Sequence, residues 1–105
     1  MHNIYDLKRP KIGEEEIKPL FKTDTVLINQ ILSHQLERSA WYQQKEDEWL
    51  VLIEGDAVLE FENKMIHLKR GDTLLIPAQQ RHRVLKTSTD ALWLTVHMDL
   101  VSKQK

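Results

Sequence analysis

The chain has 105 residues, 41% of them apolar, with 15 basic and 16 acidic side chains and no cysteine. That is one domain with a single modest core; disulfides, thiolate metal sites and cysteine nucleophiles are excluded, and so balanced a charge gives no footprint for nucleic acid or an anionic membrane. No apolar run approaches the roughly 20 residues that span a bilayer, and "MHNIYDLKRPKIGEEEIK" has no apolar signal segment, so a cytoplasmic protein is expected.

Residues 1–20 are polar, carry Pro10 and Pro19, and read as an N-terminal arm. Within it "GEEEIKPLF" is expected to form one helical turn, its glutamates at the favourable end of the dipole, or to cross the outside of a β domain. Residues 21–105 read as that domain. The apolar runs "TVLINQILSH", "EWLVLIEGDAVLEF", "KMIHLKRGDTLLIP", "HRVLKT" and "ALWLTVHM" are rich in Val, Ile, Leu, Thr and Trp, and many alternate. Turn signals stand at 54–56 (EGD), 62–64 (ENK), 70–72 (RGD) and 88–90 (STD). Some six or seven short strands so joined predict an antiparallel sandwich or barrel. The RGD triplet reads as a charged hairpin turn, not an attachment motif.

The chemistry-bearing residues fall late in the chain. His82 follows the "IPAQQ" loop, and His97 shares strand parity with Trp93 and Thr95 in "WLTVH". His67 alternates against Ile66 and Leu68 and is expected to face solvent; His2 lies in the terminus. His34 has the parity of Val26, Ile28 and Leu32, or falls in the following loop. No serine has a nucleophile-elbow context, and three scattered glycines make no phosphate loop. Glu48 is the unexpected residue: a carboxylate at the mouth of an apolar strand, costly unless it has a partner.

Glu48 precedes Gly55, Gly71 precedes Pro77, and His82 follows, at spacings that resemble the two motifs of the cupin family, Gly-x5-His-x-His-x(3,4)-Glu-x6-Gly and Gly-x5-Pro-x-Gly-x2-His-x3-Asn. The frame matches at Glu48, Gly55, Gly71, Asp72, Pro77 and His82. It departs at Tyr42 and Gln44, which stand where the motif has histidines, and at Leu36, Gln79 and Lys86. "WYQQKEDEW" with the late "WLTVH" is similar to a cupin subgroup whose paired histidines are replaced. The resemblance implies an all-β, double-stranded β-helix or jelly-roll barrel. It also implies a divalent metal (Zn, Ni, Fe, Co or Mn) inside, with Gln44, Glu48, His82 and His97 as the candidate ligands.

Glu48 and Tyr42 are the candidate catalytic groups. Metal-dependent isomerases, lyases and dioxygenases occur among similar proteins, and the fold does not choose between them. The leading expectation is metal binding together with a small oxygen-bearing metabolite. The alternative is a metal-free small-molecule binding or sensing module. In a purely structural reading, Glu48 sits at the rim, bonded to Tyr42 or paired with Arg81 or Arg83, and Trp41 is rim packing. Exposed sheet edges and the habit of similar small cupins predict a homodimer.

Overall fold

Alternation of buried and exposed side chains builds each strand. A computed structural model describes residues 1–99. Its strands are β1 (Glu14–Lys22), β2 (Val26–His34), β3 (Asp47–Glu54), β4 (Asp56–Phe61), β5 (Met65–Lys69), β6 (Thr73–Ile76), β7 (His82–Thr87) and β8 (Ala91–Met98). In β3, Glu48, Leu50 and Leu52 are buried while Trp49 is exposed. In β4 the inward set is Ala57, Leu59 and Phe61.

The strands form a five-stranded sheet in the order β1-β2-β8-β3-β6 and a three-stranded sheet in the order β5-β4-β7. Every pair is antiparallel. Leu50, Leu52, Ile76 and Trp93 of the large sheet pack against Leu59, Phe61 and Leu68 of the small one. Each such side chain contributes about 1.5–3 kcal/mol of burial, which closes the two sheets into a jelly-roll barrel. No helix among the described residues is long and apolar enough to cross a membrane.

The four turn signals all connect successive strands, and the RGD triplet is the β5–β6 turn, where the Lys69 N–H donates to Asp72 Oδ2 at 2.7 Å. The one strand beyond the expected seven is β1. Residues 14–22 do not form a helical turn: they pair with β2, Glu15 opposite Ser33 and Ile17 opposite Ile31. Period-two placement turns Glu15 and Ile17 toward the barrel interior, and the sheet hydrogen bonds outweigh a weak local helix preference. Pro19 is tolerated because β1 is an edge strand. The β unit therefore begins before residue 21, and only the segment ahead of β1 runs as an arm.

That arm lies against the large sheet. His2 Nε2 meets Gln30 Oε1 at 2.8 Å, and Arg9 pairs with Asp90. His34 is buried at the end of β2, its Nδ1–H donating to the Pro10 carbonyl at 2.7 Å, so it locks the arm. His67 is exposed.

Candidate functional site

A cavity of ≈ 210 Å³ opens between the sheets, and Tyr42, Gln44, Glu48, His82 and His97 all line it. Sheet register explains the convergence. Glu48 on β3 stands opposite His97 on β8 and Ile76 on β6. His82 opens β7 and is bridged to Tyr42 by paired backbone hydrogen bonds of 2.7 and 2.9 Å. The segment before β3 thus passes across the mouth of the barrel and delivers Tyr42 and Gln44.

Glu48 is buried at 8% exposure, and its partners are not those of the rim reading. Gln44 Nε2 donates to Glu48 Oε1 at 2.9 Å, and His82 Nε2 lies 3.8 Å from the same oxygen. Arg81 and Arg83 face away from it. Their guanidinium carbons sit 4.2 and 4.6 Å from the Trp41 ring centre, and Arg83 also bonds Glu60 at 2.8 Å. Trp41 is a stacked platform outside the cavity, in keeping with a packing role. Glu46 is no solvated bystander: its Oε2 accepts from His97 Nδ1 at 3.0 Å.

The tautomer of His82 follows from its second contact. Nδ1 lies 2.9 Å from the Gln80 carbonyl, which can only accept, so Nδ1 carries the proton. In the neutral ring Nε2 is then a bare acceptor facing a carboxylate, which is also an acceptor. Two acceptors so placed call for a donor between them or a proton on His82.

These donors fit a resident metal poorly. His97 is turned to Glu46, Gln44 offers a neutral amide already committed to Glu48, and only Glu48 and His82 converge as ionisable ligands. No group of three or more His, Asp or Glu among the described residues is placed to hold an ion. A transition ion ordinarily takes three or four protein ligands.

Three further lining residues were not singled out in the sequence. Glu15 projects in from β1, and Asn29 and Thr95 face each other across β2 and β8. Asn29 Oδ1 and Thr95 Oγ1 are buried with no hydrogen-bond partner among the described residues. The available signal was a polar residue at inward parity inside an apolar strand, as in "LINQI". Burial raises the Glu15 carboxyl above its ordinary value of 4.5. Burial, then Glu15, then Glu48 raise the Tyr42 phenol above 10.0, so Tyr42 stays a neutral hydroxyl donor at physiological pH.

A raised carboxyl pKa means that the folded chain binds more protons than the unfolded chain between the two values. Stability then falls as pH rises from 4.5 through the folded-state value of Glu15. Glu15→Gln is expected to abolish that decline and to raise the melting temperature at pH 7 while leaving it unchanged at pH 4. Melting curves of both forms across this range check it, and an unaltered pH profile would contradict it.

The departure at Gln79 is visible in the backbone. This residue has φ 67°, a left-handed conformation that suits the glycine of the motif, and its N–H donates to the Gln44 carbonyl at 2.7 Å. A side chain there costs about 1–2 kcal/mol, partly offset by the smaller entropy of the unfolded chain. Gln79→Gly is expected to stabilise by about 1 kcal/mol, a rise of about 4–8 °C in melting temperature for a domain of this size. A lower melting temperature would show that the Gln79 side chain supports the loop.

Comparison with known proteins agrees with the fold. The Cupin domain family model matches residues 30–97, well over half of the chain. A crystal structure from Ralstonia eutropha JMP134, of a protein provisionally named mannose-6-phosphate isomerase, is 30% identical with a TM-score of 0.85, covering 94% of this chain and 97% of that one. A cupin superfamily protein from Desulfitobacterium hafniense DCB-2 is 20% identical with a TM-score of 0.78, covering 87% and 83%. TT1209 from Thermus thermophilus is 20% identical with a TM-score of 0.78, covering 93% and 95%. No protein of curated function matches the sequence.

Proposed function

The chain belongs to the cupin superfamily, and from that premise we propose that its barrel binds a small organic molecule without a resident metal. The observation that carries this reading is the convergence of Tyr42, Gln44, Glu48 and His82 on one largely apolar cavity with too few ligands for an ion among the described residues. The volume of ≈ 210 Å³ lies below the roughly 300–1,000 Å³ of sites for drug-sized ligands, which fits a small metabolite. In this reading Glu48 accepts a proton from the bound molecule and Tyr42 donates a hydrogen bond to it.

The test is ligand-observed NMR on a mixture of small metabolites in the presence of EDTA. Compounds that bind the wild type should lose binding in Glu48→Gln and in His82→Phe. Binding that persists in both folded variants would overturn the reading.

The 3.8 Å approach of His82 Nε2 to Glu48 favours a second reading, a Zn, Ni, Fe, Co or Mn ion held by these two with Gln44. Elemental analysis of untagged protein separates the two. A stoichiometric metal that survives EDTA and is lost in His82→Ala would replace the first reading with the second.

We also propose a second copy of the chain as a partner. Register aligns Leu75, Trp49, Val96, Ile28 and Phe21 as one apolar row across the outer face of the large sheet. Leu75 and Phe21 are more than half exposed, and an isologous contact along the row would cover them. Light scattering is expected to give twice the chain mass, falling to one chain in Trp49→Glu. A monomer at all accessible concentrations would refute it.

A further inference from the structure

The cavity wall has a charge and hydrogen-bonding character of its own. It contains two carboxylates, Glu15 and Glu48, and neither lysine nor arginine. Its uncommitted atoms are largely acceptors. His82 Nε2 is a bare lone pair once Nδ1 has donated to Gln80, and Asn29 Oδ1 is buried and unpartnered among the described residues. Thr95 Oγ1, whose residue is 2% exposed, is likewise without a partner there. Glu15 projects into the same space, and burial raises its carboxyl above the ordinary value.

Buried polar atoms left unsatisfied cost free energy, so a wall that keeps several of one kind is complementary to a molecule bringing the other kind. We propose that the ligand of this barrel is a small organic cation, a protonated amine, whose N–H groups are received by Glu15, Glu48 and Asn29. The inference rests on the reading of the cavity as a ligand site and adds the class of ligand. The arrangement favours an ammonium in three ways. A positive group offsets the cost of burying the Glu15 carboxylate and can also pair with Glu48 on the same wall. Its donors fill the gap between His82 Nε2 and Glu48 Oε1, where two acceptors otherwise face each other at 3.8 Å. Leu50, Leu59, Ile76 and Trp93 supply an apolar lining for the carbon body. A phosphorylated or carboxylated molecule meets the opposite: negative charge brought against Glu15 and Glu48 with no basic side chain on the wall to receive it.

The test uses three probes of nearly one shape, benzylamine, benzyl alcohol and benzoate, titrated by calorimetry and NMR at pH 7 with EDTA present. Benzylamine is expected to bind at least about tenfold more tightly than benzyl alcohol, with benzoate weakest. Glu15→Gln should lower benzylamine affinity by about fivefold or more and leave benzyl alcohol within about twofold. Melting curves confirm that each variant is folded. Equal binding of all three probes, or preference for benzoate, overturns the cation inference while leaving the cavity reading intact. Failure of every probe to bind folded wild-type protein overturns both.

Discussion

Gly55→Ala is expected to cost about 3–5 kcal/mol, a large part of the ordinary stability of a domain this small. Gly55 has φ 93°, and a Cβ built on it would lie 2.3 Å from the Asp90 carbonyl oxygen and 2.7 Å from Ser88 Oγ. The left-handed conformation alone accounts for about 1–2 kcal/mol. The overlap adds about 2–3 kcal/mol, since backbone must move to relieve it. Gly71 provides the control. Its φ is 88°, but nothing lies within 4 Å of its notional Cβ, so Gly71→Ala should lose only the conformational part. Urea denaturation followed by circular dichroism compares the two, with a midpoint at least about 1 M lower for Gly55→Ala than for Gly71→Ala. Equal midpoints would mean that the turn yields freely and that the close approach carries no energy.

The second large effect is a gain. Tyr42→His with Gln44→His is expected to bind Ni, Co or Zn at least about tenfold more tightly than wild type. Both replaced side chains already line the cavity with Glu48 and His82, and the Tyr42 and His82 ring centres are 6.0 Å apart. Two imidazoles added to an imidazole and a carboxylate raise the ionisable ligands from two to four. Glu48→Ala in this background should remove most of the gain. A chelator-buffered titration of all three forms reads it, with circular dichroism confirming the fold. Acidification should release the metal, since imidazole and carboxylate bind only when deprotonated. Unchanged affinity in a folded double variant would place Tyr42 and Gln44 outside ligand reach.

Much of the scaffold was readable from the residues. Gly55, Gly71 and Pro77 mark chain reversals by their own backbone restrictions, and alternation in "WLTVH" grouped His97 with Trp93 and Thr95, which all line the cavity. Glu48 and His82 were legible because a motif of turns fixes where strands begin. β1 was not legible, because "GEEEIK" carries good helix formers and its strand character comes from β2, which it meets only in the folded sheet. Asn29, Thr95 and Glu15 were missed for the related reason that their meeting depends on strand order, which local periodicity does not encode. Parity brought His97 to the cavity, but it could not say that its ring would turn to Glu46, a residue of the segment before β3.

The position of β8 sets a timetable for the chain. This strand, the last among the described residues, lies in the middle of the large sheet, hydrogen-bonded to β2 on one side and β3 on the other. A nascent chain leaving the ribosome therefore has β2 and β3 in hand but nothing to join them until residues near 98 emerge. Until then the backbone edges of both strands are open, and Trp93, Thr95 and His97 are missing from the cavity wall. Assembly of the barrel cannot be vectorial, and competence to bind arrives in one step with the insertion of β8.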